Sequence, residues 1–166
     1  AELAFFPKEK LPRTPEERKG IFDVYCKDEN GREFIVEMQK SEQLYFKDRA
    51  VYYSTFAVNK QADRGDWNYS LKDVYFIGIL DFVFQEDERY LRRIQFMDCD
   101  THDVFFEKLT YIFIELPKFD IELEQLKTAT EKWVYFIKHA PDLSQIPDQL
   151  KEEPFPLAFH LAEKSK

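Results

Sequence analysis

Ile-Phe-Asp-Val-Tyr-Cys-Lys-Asp-Glu-Asn-Gly-Arg-Glu-Phe-Ile-Val-Glu-Met-Gln, residues 21–39, is the stretch whose reading decides the fold. Two β-rich segments, 21–27 and 33–39, flank Asp28-Glu29-Asn30-Gly31, a hairpin signature. Two registers are open to it. A two-residue turn at Asn30-Gly31 places Val24 opposite Glu37 and Phe22 opposite Gln39, and mixes polar and apolar side chains on both faces. A three-residue loop, built as a type I turn followed by a left-handed Gly31, pairs Phe22 with Met38, Val24 with Val36 and Cys26 with Phe34. That face is wholly apolar, so the patterning selects the second register. The other face then carries Asp23 across from Glu37, Ile21 across from Gln39, Tyr25 across from Ile35 and Lys27 across from Glu33.

Directly opposed carboxylates lie about 5 Å apart at Cβ and repel by roughly 3 kcal/mol at an effective dielectric near 20. A hard divalent cation offsets that repulsion, since Mg²⁺ is held by one or two carboxylates, with waters and substrate phosphates completing its octahedron. Gln39, two residues beyond Glu37, points to the same face and is placed to orient one of those waters. A solvated acidic pair remains the plainer alternative.

Working outward, Ser41 is placed to cap a helix running to about Ala62, because Phe46, Ala50, Tyr53 and Ala57 recur at helical spacing. Arg49 sits beside that stripe, where a cation facing the sheet needs an acidic partner or a phosphate. A structural pairing with Glu37 or Asp23 satisfies the same need. Val74 to Phe84 is nearly all apolar and reads as a central strand buried on both faces. Leu91–Met97 and Val104–Glu115 form a second hairpin across the acidic turn 98–103, and Leu3–Phe6 reads as an edge strand. Asp120 is expected to cap a helix to about His139, with Leu123, Leu126, Trp133, Phe136 and Ile137 as its apolar stripe. Pro141, Pro147, Pro154 and Pro156 punctuate short helical pieces after it. Strands and helices thus share one domain, expected to have its core in 1–140 and a C-terminal helical extension in 141–166.

The 166 residues, 44% hydrophobic and 34% charged, suit one folded domain. The four glycines are not spaced to cradle phosphates as Rossmann or P-loops do. Val74–Phe84 is about half a bilayer span and contains Asp81, so no membrane partner is expected. Cys26 and Cys99 are too few for a disulfide scaffold, which favours a reducing cytoplasm. No secretory signal follows Ala1, and the start reads as trimmed. The net charge of −8 lies wholly in residues 73–166, the first 72 being balanced. If a polyanion binds, it is expected on the N-terminal half, where Lys40, Lys47, Arg49, Lys60, Arg64 and Lys72 outnumber Glu42, Asp48, Asp63 and Asp66, and a solvated surface is the plainer alternative. Cys99 and His102, among Asp98, Asp100 and Asp103, read as a charged turn without the second Cys/His pair a zinc site needs.

Residues 21–39 resemble the PD-(D/E)XK nuclease family transposases, which are related to recombination-promoting nucleases. The similarity continues through Phe46, Arg49 and Tyr53, through Val74-Tyr75-Phe76 to Leu80-Asp81-Phe82, and through Phe113-Ile114-Glu115-Leu116-Pro117-Lys118-Phe119. The resemblance implies an α/β fold with a mixed central β-sheet flanked by helices and a restriction-endonuclease-like core, and Mg²⁺-dependent hydrolysis of DNA phosphodiesters, with Mn²⁺ able to substitute. It implies catalytic roles for Asp23, Glu37 and Gln39, with Asp23, Glu37 and the Met38 carbonyl as metal ligands and Gln39 in the position of the superfamily's lysine. It makes Arg49 and Tyr53, just behind this site, contacts either to phosphate or to the metal ligands themselves, and Lys40 joins them as an expected DNA contact. Family members begin with a helical region able to supply another acidic residue, and the chain starts beyond it. A competing expectation is a catalytically silent interaction module. In it Arg49 or Lys40 occupies the acidic pair, and Phe155, Leu157, Phe159 and Leu161 dock on a partner or on a second copy as a homodimer.

Overall fold

The computed structural model describes residues 2–6, 9–10, 20–21, 23–62 and 68–163. Its strands are β1 (Leu3–Phe5), β2 (Glu9–Lys10), β3 (Gly20–Ile21), β4 (Val24–Asp28), β5 (Glu33–Gln39), β6 (Val74–Leu80), β7 (Leu91–Met97) and β8 (Val104–Glu115). Its helices are α1 (Phe46–Lys60), α2 (Ala129–His139) and α3 (Phe155–Glu163). Six strands form one mixed sheet in the order β1-β4-β5-β6-β8-β7, and β2 pairs with β3 in a separate ribbon.

The β4–β5 hairpin takes the register that side-chain patterning selects, with Val24 opposite Val36, Tyr25 opposite Ile35, Cys26 opposite Phe34 and Lys27 opposite Glu33. Gly31 adopts φ 82°, and its N–H donates to the Asp28 carbonyl at 3.0 Å. The Asp28 carboxylate accepts from the Asn30 and Arg32 N–H groups at 3.0 and 2.9 Å, which ties the loop from inside. The pairing stops earlier than expected. The chain bends at Asp23, and Ile21 pairs with Glu9 in the ribbon instead of with Gln39. Phe22, and with it the expected contact to Met38, lies outside the described residues.

Burial of the hairpin faces reverses what their composition suggests. Helix α1 places Phe46, Ala50 and Ala57 in one core cluster with Tyr25, Ile35, Phe76, Tyr111 and Phe113, so the face bearing Glu33, Ile35 and Glu37 is the buried one. On the all-apolar face Val24 and Met38 are exposed, and Phe34 and Val36 only half-buried. Ser41 does not cap α1. The helix opens from Tyr45 in the left-handed region at φ 61° with no side-chain cap, and the Phe46 N–H donates to the Gln43 carbonyl at 3.2 Å. The loop 41–45 turns in this way so that Phe46 enters the core at the first helical position.

Strand β6 lies between β5 and β8, parallel to both, as befits the most apolar segment. It ends at Leu80, four residues before the apolar run does, because Phe82 and Phe84 leave the sheet to pack against Phe46, with ring centroids 6.1 and 5.7 Å away. The fully buried Glu115 holds that loop. It accepts from the Phe84 and Gln85 N–H groups at 2.7 and 3.3 Å and from Arg92 Nε at 3.0 Å, and Arg92 also pairs with Asp87. The β7–β8 hairpin forms as expected, with register shifts around Gln95. Its tip runs beyond the part of β8 that pairs with β6, and Phe96, Met97, Val104 and Phe105 are exposed there.

Residues 116–166 form a second compact unit, apart from residues 1–115, so the expected division after residue 140 falls within it. Helix α2 starts at Thr128, not Asp120. The Thr128 hydroxyl accepts from the Glu131 N–H at 3.1 Å while the Glu131 carboxylate accepts from the Thr128 N–H at 2.8 Å. This reciprocal box satisfies two otherwise orphaned donors, and the chain before it makes only a short 3₁₀ turn at Leu123–Gln125. Phe136, Leu150 and Phe155 form the unit's own apolar cluster, with the Trp133 ring tilted against Phe155 at 4.6 Å between centroids.

Candidate metal centre

Parallel pairing across β5, β6 and β8 sets Glu37 beside Gly78 and Gly78 beside Phe113. A Cβ at position 78 would lie 2.8 Å from Phe113 Cδ1 and 3.4 Å from Phe46 Cζ, so the missing side chain admits these rings next to Glu37. Phe113 in turn lies 5.5 Å from Phe46 and 5.0 Å from Phe84 between centroids. Glu37 is thus a carboxyl group set against an aromatic wall and beneath a helix. Burial pushes its pKa up to about 7, the Asp23 charge pushes the same way, and Arg49, the Asp23 N–H and the Gln39 amide oppose both. Gln39 Nε2 donates to Glu37 Oε2 at 3.4 Å. Glu37 Oε1 is buried and, among the described residues, has no partner.

Asp23 sits at the bend before β4, exposed, and its Oδ2 accepts from the Met38 N–H at 2.7 Å. The hairpin therefore brings together Asp23, Glu37, Gln39 and the Met38 backbone. Arg49 reaches toward the same place from α1. Its Nη1 donates to Gln43 Oε1, its guanidinium carbon lies 5.8 Å from the Phe46 ring centroid, and its Nη2 is buried without a partner among the described residues. Among the described residues, neither Arg49 nor Lys40 forms an ion pair with Asp23 or Glu37. Lys40 is exposed at the end of β5. Tyr53 is half-buried and packs against the core cluster. Gln43 and Glu115 were not picked out by sequence patterning, since one acts across an irregular loop and the other through a strand register that no local turn fixes.

The donor set suits a hard cation. Two carboxylates and a backbone carbonyl are oxygen ligands of the kind Mg²⁺ and Mn²⁺ take, and a buried carboxylate oxygen without a donor among the described residues fits such an ion. Among the described residues no three His, Cys, Asp or Glu side chains converge, so they do not build a closed cage of the zinc type. The model of the PD-(D/E)XK nuclease family transposases matches residues 1–166, the whole chain. The chain belongs to that family. The mixed six-stranded sheet with three helices is consistent with the restriction-endonuclease-like α/β fold of PD-(D/E)XK nucleases. Searches of curated proteins and of solved structures each found no significant match. Among the described residues, no helix of this PD-(D/E)XK chain is long and apolar enough to cross a membrane.

Proposed function

We propose that the chain is a divalent-metal-dependent DNA endonuclease that hydrolyses phosphodiester bonds in transposition or recombination. Asp23, Glu37 and the Met38 carbonyl hold the cation, Mg²⁺ or in its place Mn²⁺. The observation that carries this reading is the buried, unpartnered Oε1 of Glu37 beside the Asp23 charge, in a chain of this nuclease family. When bound, the cation supplies a lowered water pKa and a counter-charge for the phosphate.

The chain's own residues do the rest. Glu37 sits on a strand paired on both sides and gives a fixed ligand, whereas Asp23 projects from a bend. Gln39 occupies the position where the superfamily carries lysine. Its amide donates to Glu37 and orients a water, but it neither takes nor releases a proton as an amine does. Arg49 and Lys40 contribute positive charge for the DNA backbone, on the half of the chain that is not net acidic. Tyr53 backs the helix face behind the site. The silent-module alternative places Arg49 or Lys40 on the acidic pair, and the lack of either ion pair among the described residues favours the nuclease.

Incubation of supercoiled plasmid with the purified chain and Mg²⁺ or Mn²⁺ tests the proposal. Nicking is expected, abolished by EDTA and by Glu37→Ala. Nicking that persists at the wild-type rate in Glu37→Ala, or that ignores EDTA, overturns it.

A further inference from the structure

We propose that Gln43 is a positioning residue, which fixes the Arg49 guanidinium so that its buried Nη2 is presented to an anionic oxygen of the DNA phosphodiester. This rests on the nuclease reading above. Guanidinium is planar and carries five N–H donors in a fixed fork, so holding one edge limits where the remaining donors point. Gln43 holds such an edge, because Arg49 Nη1 donates to its Oε1, and the guanidinium carbon lies over the Phe46 ring, 5.8 Å from its centroid, within cation–π range. Gln43 is itself anchored, because its carbonyl accepts from the Phe46 N–H at 3.2 Å in the turn that opens α1. The left-handed Tyr45, whose carbonyl accepts from the Arg49 N–H at 3.0 Å, completes the turn.

The result is a cation whose Nη2 is desolvated and, among the described residues, unpaired. Burying such a donor without an acceptor is costly, so its retention calls for a group that completes it. The neighbouring acid does not complete it. Arg49 acts on Glu37 through its charge, yet Glu37 Oε1 is also without a partner, so the two form no direct bond. What is lacking at Nη2 is an acceptor, and what is lacking at Oε1 is a positive or proton-bearing group. A phosphodiester oxygen supplies the first, and the cation that accompanies it supplies the second.

The identity of residue 43 matters for this. A neutral amide takes one donor of Arg49 without cancelling its charge, so the full positive charge remains for the substrate. A carboxylate at position 43 would keep the bond and quench that charge, and alanine would keep the charge and release the geometry.

The test uses the full chain with Gln43→Ala, Gln43→Glu and Arg49→Lys. In the DNA-free protein labelled with ¹⁵N-arginine, Arg49, assigned by its loss in Arg49→Lys, is expected to show two resolved Nη signals from slowed rotation. These collapse to one in Gln43→Ala and persist in Gln43→Glu. Affinity for a short duplex, measured in Ca²⁺, is expected to fall about tenfold in both Gln43 variants, the scale of one charge-assisted hydrogen bond. Single-turnover cleavage in Mg²⁺ falls at least as far, while the Mg²⁺ concentration for half-maximal rate stays at the wild-type value, which a general loosening of the fold would not leave in place. Averaged Nη signals in the wild type, or unchanged duplex affinity in both Gln43 variants, overturns the proposal. A wild type that binds duplex but never cuts it overturns the nuclease reading instead, and leaves the signal and affinity measurements to decide the role of Gln43.

Discussion

Replacing Glu37 by Gln exchanges a buried, partly charged carboxyl for a neutral group of the same shape, and the structure sets both the size and the sign of the effect. Folding raises the Glu37 pKa from 4.5 to about 7, chiefly because the group is desolvated beneath α1 and lies beside Asp23. At about 1.36 kcal/mol per unit, that difference corresponds to roughly 3 kcal/mol. The folded state holds the proton more tightly than the unfolded one. Stability therefore falls as pH rises from about 4.5 to about 7, and is level above that, where both states are ionised. Glu37→Gln removes this dependence. Urea denaturation of metal-free protein between pH 5 and 8.5 is expected to show the wild type losing stability across the window while the variant does not. At pH 8 the variant should be the more stable, by up to about 3 kcal/mol. Adding Mg²⁺ at pH 8 should restore stability to the wild type and leave Glu37→Gln unmoved, since only the carboxylate ligates. Parallel pH profiles for the two proteins would refute the placement of the charge, and an equal response to Mg²⁺ would refute its role.

Gly78→Ala should destabilise the sheet by about 1–3 kcal/mol in urea or thermal denaturation, because the new Cβ would stand 2.8 Å from Phe113 Cδ1 in a packed core. Glu115→Ala removes the acceptor of the Phe84 and Gln85 N–H groups and leaves the half-buried Arg92 paired with Asp87, so a loss of about 3 kcal/mol is expected by the same assay. That variant should also bring the Glu37 pKa, followed by carboxyl ¹³C shifts, back toward the ordinary carboxylate range as Phe82 and Phe84 slacken against Phe46.

How far the sequence could be read depended on the range of the interaction that fixes each feature. The β4–β5 register is local. Gly31 fixes the loop length, and alternation over a few residues does the rest, so the neighbourhood of Asp23, Glu37 and Gln39 was legible before any coordinates. The buried side of that hairpin was not, because it depends on where α1 packs, and Phe46, Ala50 and Ala57 chose the face with the acids. Helix starts failed wherever a generic capping residue stood near a better device. Thr128 with Glu131 outcompetes Asp120, and the turn at Gln43–Tyr45 displaces Ser41. The wall behind Glu37 and the Glu115 tether were illegible for a further reason. Both depend on parallel pairing through β6, whose partners lie more than thirty residues away in sequence and whose register no turn encodes.

The β7–β8 tip has a bearing on how the protein behaves in bulk. Four large apolar side chains, among them Phe105 at 82% exposure, stand at the outer margin of an open sheet, where backbone groups of β7 invite pairing with a neighbouring molecule. The turn that joins them bears Asp98, Asp100 and Asp103, and the chain as a whole is strongly anionic. Mutual repulsion is then expected to hold the tips of separate molecules apart. The net charge of the chain vanishes near the isoelectric point of about 5.0, but Asp98 stays ionised there, because the Thr101 and Asp100 N–H groups hold its carboxyl below the usual range. High ionic strength screens both, so added salt, more than acidity, is expected to let these hairpins associate.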